Sequence, residues 1–210
     1  MKTLFIPAKS TADLIPVVEK ALDKLKGKVG LVTTVQHLHK LKEVKEFLDS
    51  KDIDSELCGQ VLGCNAKAAK GCDTYLYVGS GQFHPIAVKL ETGKDVVVAN
   101  PLSCEVSEVS NEEVEKYKGR VKGAYTKFLS SDEIGILVSV KSGQKNLESA
   151  YELEKRFPEK NFYILLTNTL NFKSLEDFNF IQCFVNTMCP RLIDDYDKFP
   201  KPVVNIEDIK

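Results

Sequence analysis

The sequence predicts an α/β fold, and three observations support this prediction. Short apolar runs alternate with segments that have the apolar spacing of amphipathic helices, which is typical of βαβ units and a parallel sheet. The pattern is repeated in the two halves of the chain. The length of 210 residues suffices for two small domains, each with its own core. We therefore predict two similar units of parallel sheet flanked by helices.

The apolar runs define the predicted strands, and the periodic segments define the predicted helices. The strands are residues 4–7, 29–33, 53–57, 75–79, 96–99, 134–140, 162–166, 180–186 and 203–204. The helices include residues 13–25, 40–48, 112–128 and 147–156. Apolar residues fall on one face of the first helix, so we expect that face to be buried. Right-handed crossovers would bring the carboxyl ends of the strands to one edge.

An internal repeat sets the predicted domain boundary. The segment VGLVTTVQHLHKLKEVKEFL resembles IGILVSVKSGQKNLESAYEL, since each has a strand, a polar turn with a Gln and an amphipathic helix. The segment YLYVGSGQFHPIAVKLETGKDVVVAN parallels FVNTMCPRLIDDYDKFPKPVVN, and each ends in a strand with two or three valines. The repeat divides the chain into residues 1–105 and 106–210. The polar and acidic residues 103–115 are the predicted crossover between the two units.

The balance of charges argues against several classes of partner. The chain has 29 Lys and Arg residues and 30 Asp and Glu residues, so its formal net charge is −1. We expect no direct nucleic-acid binding, because such a chain has no general attraction to phosphate backbones. No apolar run approaches the roughly 20 residues that span a bilayer, and the N-terminus is unlike a secretory signal. We therefore expect a cytoplasmic protein without a membrane segment.

Six cysteines are the residues with the clearest potential for metal chemistry. We expect reduced thiols rather than disulfides in the cytoplasm. A zinc ribbon or a thioredoxin-type motif is excluded, because no CxxC pair is present. Any metal ligands must therefore be brought together by the fold. Open α/β sheets bind ligands at the carboxyl ends of their strands, and this rule separates the six cysteines into two groups.

Two cysteines are predicted both at this edge and at the start of a helix. Cys64 lies in the loop GQVLGCN after a predicted strand, and Cys189 follows the strand FVNT and precedes Pro190. Thiols at helix N-termini have lowered pKa values, and the thiolate is the form that binds iron. The sequence therefore predicts that Cys64 and Cys189 carry chemistry, with an iron–sulfur cluster as the expected group.

The other four cysteines fall on both sides of the predicted sheet. Cys58 flanks the loop of Cys64, and Cys104 follows the strand VVVANP, so both are candidates at the carboxyl edge. Cys72 enters a strand from its amino end, and Cys183 is near the start of its strand. We predict that Cys72 and Cys183 are structural.

Histidines and glycine turns are also predicted at the ends of strands. His37 and His39 follow the strand at 29–33, and His84 lies in the turn GSGQFHP. A lone histidine is usually structural, and the location of all three at strand ends makes that interpretation somewhat weaker. The turns GSG and SGQ would let backbone N–H groups approach a ligand. No GxGxxG, phosphate-loop or GxSxG motif is present, so these nucleotide-binding and hydrolase motifs are excluded.

Five segments together resemble the diphthamide synthase family. They are GQVLGCN, TTVQHLHKL, YVGSGQFHPIAVKLETGK, VSVKSGQ and VNTMCPRL, spaced along essentially all of the chain. Archaeal members of this family are 3-amino-3-carboxypropyl transferases that act on a histidine of translation elongation factor 2. Each of their three similar α/β domains contributes one cysteine to a [4Fe–4S] cluster. S-adenosylmethionine binds the fourth iron and is cleaved to give a 3-amino-3-carboxypropyl radical.

The resemblance implies roles for particular residues of this chain. Cys64 corresponds to the cluster cysteine of the family's middle domain, and Cys189 corresponds to that of the last domain. By the same likeness, two turns and the GQVLGCN loop would line the S-adenosylmethionine pocket. The residues expected to bind this cofactor are Gln60, Gly79, Gly81, His84, Ser142, Gly143 and Gln144.

The chain departs from the family pattern at its start. It begins where the family's middle domain begins, so we expect the first domain and its cysteine to be missing. A third thiolate must then come from elsewhere. Cys58 is the preferred source, because it is on the same loop as Cys64, and Cys104 is second. The alternative sources of the third thiolate are a second copy of the chain and a separate protein. Independently of this choice, we expect the chain to form a homodimer.

Three functions are compatible with these features. The first is a transferase that uses S-adenosylmethionine, with the histidine of elongation factor 2 as one acceptor. The second is a non-catalytic or cluster-carrying partner of a full-length relative, since eukaryotic members of the family work as pairs. The third is an enzyme that uses the open iron as a Lewis acid, or that transfers sulfur. Quinolinate synthase, which has a similar three-domain plan, makes the third function plausible.

Overall fold

The computed structural model of the chain describes Leu4, Ile6, residues 8–62 and residues 65–210. Contacts divide the chain into two compact units, Met1–Glu115 and Lys116–Lys210. The division lies inside a helix, on the C-terminal side of the boundary predicted between residues 105 and 106. Among the described residues, no helix is long and apolar enough to cross a membrane.

The first unit is built on one mixed sheet. Its strands are β1 (Val29–Thr33), β2 (Ser55–Gln60), β3 (Thr74–Val78), β4 (Asp95–Asn100) and β5 (Glu105–Glu108). They lie in the order β2-β1-β3-β4-β5. The first four are parallel, as predicted, whereas β5 pairs antiparallel with β4. The sequence analysis missed β5, because this edge strand reads EVSE and is mostly exposed.

Helices cover both faces of this sheet. They are α1 (Ile15–Glu19), α2 (Leu41–Asp49) and α3 (Phe83–Thr92). Alternate strand residues point to opposite faces, so Leu31 and Leu76 pack with α1 and α2, while Tyr75 and Tyr77 pack with α3. Both faces are therefore covered, which explains why β1 and β3 are buried along their whole length.

The first predicted helix is shorter than its apolar pattern. After α1 the chain tightens into a 3₁₀ turn at Leu22–Lys24, held by bonds to the third preceding residue. The predicted apolar face is nevertheless buried. Leu14, Val17, Val18 and Ala21 are each at most 1% exposed, and the last two residues of the face, Leu22 and Leu25, are partly buried.

The first predicted strand is absent at the two of its four positions that the structure describes. At the predicted strand 4–7, Phe5 and Pro7 lie outside the described residues. Leu4 and Ile6 are exposed and belong to no strand.

The second unit repeats the order of the first four strands. After α4 (Asn111–Leu129) come β6 (Glu133–Ser139), α5 (Leu147–Arg156), β7 (Asn161–Thr167), β8 (Cys183–Asn186) and β9 (Val203–Asn205). The sheet is parallel, in the order β7-β6-β8-β9. Helices α4 and α5 pack on one face, and the 3₁₀ segments Lys173–Asp177 and Pro190–Lys198 contribute to the other. The prediction of two similar parallel-sheet units is therefore confirmed.

Candidate functional site

Each sheet reverses its strand order at one point. In the first unit this point lies between β1 and β3, and in the second between β6 and β8. Open α/β sheets bind ligands at the carboxyl edge of such a point, in the crevice between the loops that follow the two strands. The loops contain residues 34–37 and 79–81 in the first unit, and residues 140–144 and 187–189 in the second. Several of the predicted site residues lie in these loops.

A buried tyrosine organises the glycine turn after β3. Tyr77 is fully buried, and a Cβ added at Gly79 would lie 2.7 Å from its hydroxyl oxygen. The hydroxyl donates to the carbonyl of Ser80 at 3.4 Å. The ring of His84, in the first turn of α3, stacks on Tyr77 with centroids 5.9 Å apart and planes inclined by 10°. The structure thus brings Gly79 and His84, with Gly81 in the same turn, around one phenol.

His37 follows β1 and is buried, which the sequence analysis did not predict. Its residue surface is 7% exposed. Burial, and then the nearby charges of His39 and Lys40, lower the pKa of the imidazole, so the neutral ring is favoured. Within the described part of the chain, nothing hydrogen-bonds to Nδ1 of His37. A buried polar atom of this kind is usually satisfied by water or a ligand.

Gln60 lies next to this crevice, at the end of β2. It pairs with Thr33 at the end of β1. The Thr33 hydroxyl donates to the carbonyl of Val78 at 2.6 Å, which joins the ends of β1 and β3. Cys64, four positions beyond Gln60 in the sequence, lies outside the described residues. The structure therefore places Gln60 but not the thiol of Cys64.

Cys58 lies within β2 rather than beyond its end. It is the extra residue where the register between β1 and β2 shifts, and a Cβ added at Gly30 would lie 3.1 Å from its Sγ. The Cys72 thiol lies close enough to the Cys58 sulfur to interact with it. Burial, and then the neighbouring Cys58, raise the pKa of Cys72 to about 11. Cys72 is therefore a buried, protonated thiol, as predicted for a structural cysteine.

Cys104 and Cys183 have opposite environments. Cys104 is exposed after β4, has a φ of +58° and accepts a bond from Lys20 Nζ at its carbonyl, at 3.0 Å. Three strand spacings, about 14 Å, separate β4 from β2. Cys183 is fully buried in β8, and this burial raises its pKa to about 12. The structure thus confirms that Cys183 is a core residue.

Four predicted residues lie at the crevice of the second unit. Ser142, Gly143 and Gln144 form the SGQ turn after β6. In this turn, Gly143 has a φ of +79°, and a Cβ added there would meet nothing within 4 Å. Cys189 follows β8, which is hydrogen-bonded to β6, and it is half-buried. The SGQ turn and Cys189 therefore follow neighbouring strands.

Two buried asparagines beside Cys189 were missed by the sequence analysis. Asn186 and Asn205 are 2% and 6% exposed. The side chain of Asn186 donates to the carbonyl of Cys189 at 3.0 Å. Each asparagine ends a short apolar strand, a place where a fully buried amide is uncommon. That pattern, in FVN and VVN, is the signal that could have identified them.

The cysteines present fit an iron–sulfur cluster by donor type. Cys189 and Cys58 are half-buried, Cys104 is exposed, and all three are free thiols. Thiolates are soft ligands that bind iron–sulfur clusters well. In residues 8–62 and 65–210, no three His, Cys, Asp or Glu side chains are grouped to hold a metal ion, and Cys64 is not part of that set.

A cavity in the second unit contains none of the predicted site residues. It has a volume of about 360 Å³ and is lined by residues of α4, of β9 and of the 3₁₀ segment before it. Arg120 and Asp208 are among its polar lining residues. Burial raises the pKa of Asp208. Because none of the motifs lies there, we do not assign the cofactor to this cavity.

Comparison with known proteins identifies relatives along the whole chain. The family model described as diphthamide synthesis protein matches residues 1–210. The 2-(3-amino-3-carboxypropyl)histidine synthase of Pyrococcus horikoshii is 31% identical, over 99% of this chain and 64% of the relative. The enzyme of the same name from Methanocaldococcus jannaschii is 30% identical, over 100% of this chain and 62% of the relative. The chain thus spans less than two thirds of the length of these relatives.

Solved structures agree with the sequence matches. The crystal structure of Dph2 from Pyrococcus horikoshii superposes with a TM-score of 0.86 at 29% identity, covering 97% of this chain and 63% of Dph2. The crystal structure of the same protein with a 4Fe-4S cluster gives a TM-score of 0.85. Because the family model matches the full sequence and the fold agrees, the chain belongs to the diphthamide synthesis family.

Proposed function

We propose that this chain binds a [4Fe–4S] cluster through Cys64 and Cys189 and transfers a 3-amino-3-carboxypropyl group from S-adenosylmethionine. The observation that carries this proposal is that Cys189 and the SGQ turn follow neighbouring parallel strands, β8 and β6, at the reversal point of the second sheet. A relative of the same fold was crystallised with a 4Fe-4S cluster. The names of the relatives from Pyrococcus horikoshii and Methanocaldococcus jannaschii support the proposal that the transferred group is 3-amino-3-carboxypropyl.

The residues at the two crevices have distinct proposed roles. The thiolates of Cys64 and Cys189 hold the cluster, which would supply an electron and an open iron for S-adenosylmethionine. Gly81 and Gly143 leave free space where a side chain would stand, so a ligand can approach the backbone of both turns. His84 is oriented by its stacking on Tyr77. We assign these residues, with Gln60, Gly79, Ser142 and Gln144, to cofactor binding.

The third thiolate has two candidates within the chain. Cys58 is the first, because it lies in the strand that leads to Cys64. Its sulfur lies close to the buried thiol of Cys72. Cys104 is exposed, but it follows a strand about 14 Å from β2. A ligand from a second copy or from another protein is the remaining alternative.

Single substitutions separate these sources of the third ligand. We expect Cys58→Ala to lower the iron content of the reconstituted protein, while Cys72→Ala, which removes only the neighbouring thiol, retains the iron. A loss with Cys104→Ala alone would assign the ligand to Cys104 instead. If neither variant loses iron, the ligand comes from another chain. A native mass that shows two copies would then support the homodimer, and a monomeric mass would point to a separate protein.

The reaction is tested by incubating the anaerobically reconstituted protein with dithionite and S-adenosylmethionine. Transfer of the 3-amino-3-carboxypropyl group leaves methylthioadenosine, so its release is the expected result. Addition of elongation factor 2 should give a product whose histidine carries the added group. Release of methylthioadenosine without modification of the factor would show a different acceptor. A protein that holds the cluster but releases no methylthioadenosine would contradict the transfer and favour Lewis-acid or sulfur-transfer chemistry.

A second candidate function is that of a partner subunit. The chain spans less than two thirds of its archaeal relatives, and the relative from Encephalitozoon cuniculi is named subunit 1 of the synthase. The name subunit 1 favours a chain that works with another protein of the family. The transfer assay should be repeated with a full-length relative present. Activity of the mixture above that of the relative alone would support the partner function, and activity equal to that of the relative alone would oppose it.

A further inference from the structure

Two buried amides face each other at the ends of β8 and β9. Asn186 and Asn205 are paired in the register of the two parallel strands, and both are nearly inaccessible to solvent. Nδ2 of Asn186 donates to Oδ1 of Asn205 at 2.7 Å. A buried amide without partners is costly, so this pair must be satisfied by its surroundings.

The remaining groups of the two amides bind the turn that carries Cys189. Nδ2 of Asn186 also donates to the carbonyl of Cys189 at 3.0 Å, and Oδ1 accepts from the N–H of Met188 at 3.0 Å. Nδ2 of Asn205 donates to the carbonyl of Pro190 at 3.3 Å. Three consecutive residues are thus attached to one pair of side chains. Both donors of Asn186 are used, which fixes the orientation of its amide.

The backbone on either side of Cys189 is therefore restrained. Pro190 fixes its own φ and favours an extended residue before it, and Cys189 has a φ of −69° and a ψ of 123°. The hydroxyl and the N–H of Thr187 both donate to the carbonyl of Leu137 in β6. With its peptide groups held on both sides, Cys189 has a Cα–Cβ bond that points in one direction.

We infer that Asn186 and Asn205 are positioning residues that hold the thiol of Cys189 in the direction in which it binds iron. This inference rests on the proposed function of Cys189 as a cluster ligand. In this role Asn186 and Asn205 act through the backbone of the turn and contact neither the substrate nor the cluster. If the two asparagines act in this way, the turn that carries Cys189 is already ordered before the metal binds.

The first test uses the metal-free protein, so it does not depend on cluster binding. The rate at which iodoacetamide alkylates Cys189 is measured by mass spectrometry, with exposed Cys104 as the internal reference. We expect Asn186→Ala and Asn205→Ala to raise the rate at Cys189 about tenfold relative to Cys104, because the turn is no longer held. Asn205→Asp keeps the oxygen that accepts from Asn186 but loses the donor to Pro190, so a smaller increase is expected.

Asn161→Ala is the matched control in the same unit. Its side chain donates to Glu133 in an exposed pair, and its loss should leave the alkylation of Cys189 unchanged. If an alanine variant fails to fold, hydrogen exchange of the unmodified protein gives the answer. The N–H of Met188 should then be protected, and exchange as fast as that of an open loop would overturn the inference.

The second test uses the reconstituted protein. The two alanine variants should lose most of the iron, and Asn205→Asp should retain iron but shift the reduction potential of the cluster. Wild-type alkylation rates together with unchanged iron content and potential would overturn the positioning role. If the wild-type chain binds no iron while the alkylation rates change as expected, the two asparagines do position Cys189. The proposed function of Cys189 as a cluster ligand is then wrong. The two ideas are thus distinguished.

Discussion

The imidazole of His37 is 7% exposed, and burial is the first cause of its lowered pKa. The unfolded chain, in which the pKa is near 6.5, therefore binds the proton more tightly than the folded chain. Stability from this group is present above pH 6.5 and is lost as the pH falls through the folded pKa. We expect the free energy of unfolding in urea to fall between pH 7 and pH 5, and less steeply in His37→Gln.

His39→Gln is the control for this pH dependence. His39 is exposed and contributes only the second cause of the shift at His37. This variant should keep most of the fall in stability. If His37→Gln and the wild-type chain lose stability in parallel, the imidazole is not held neutral by the fold.

Gly79 makes a second prediction at the scale of a residue. A Cβ at this position would lie 2.7 Å from the Tyr77 hydroxyl, in a fully buried part of β3. We expect Gly79→Ala to destabilise the protein by about 1–3 kcal/mol, the usual cost of overpacking. The change would also disturb the ring that orients His84. Urea unfolding measures the loss.

Gly119→Ala is the opposite case. Gly119 lies within α4, and a Cβ there meets nothing within 4 Å. Alanine at this helix position should stabilise the protein by about 0.5–1 kcal/mol. If Gly79→Ala and Gly119→Ala changed the free energy of unfolding equally, the contact with Tyr77 would not constrain the turn.

Single residues could be predicted from the sequence only where a motif or a strand end marked them. The turns of Gly79 and Ser142 follow buried strands, so their location at the carboxyl edge could be predicted. The burial of His37 could not, because the polar sequence TTVQHLHK gives no sign of it. The place of Cys58 as the extra residue at a register shift in β2 could not be predicted either, because no local pattern specifies that shift.

At the scale of an element, α4 begins with a capping box. The N–H of Glu113 donates to Oγ of Ser110, and Oε2 of Glu113 accepts from the N–H of Ser110. We expect Ser110→Ala to lower the free energy of unfolding by about 1 kcal/mol. Ser107→Ala, on exposed β5, should change it by less than about 0.5 kcal/mol. Equal losses would mean that the box does not stabilise the start of the helix.

Helices and strands were predicted most accurately where their burial requires a clear pattern of apolar residues in the sequence. The predicted strand 29–33 and helix 147–156 coincide with β1 and α5. β1 is buried at every residue, so its apolar run has clear ends. β5 was missed because an exposed antiparallel edge needs no apolar pattern. The pairing of Asn186 with Asn205 was missed because it depends on the register between two short strands.

At the scale of the whole molecule, two units share one strand order, and each carries predicted site residues at its reversal point. The prediction of two parallel-sheet units came from alternating patterns and an internal repeat. The family came from five motifs, and the match along residues 1–210 confirmed it. The motifs identify only two candidate cluster ligands, Cys64 and Cys189, so the choice of a third thiolate between Cys58 and Cys104 could not be predicted from them.

The central claim is that Cys64 and Cys189 bind a [4Fe–4S] cluster. The most direct measurement is the iron and sulfide content of the protein after anaerobic reconstitution, with its absorption spectrum. We predict about four irons and four sulfides per site, a strong loss in Cys64→Ala and in Cys189→Ala, and no loss in Cys183→Ala. A colourless wild-type protein, or two variants that keep all of their iron, would contradict the claim.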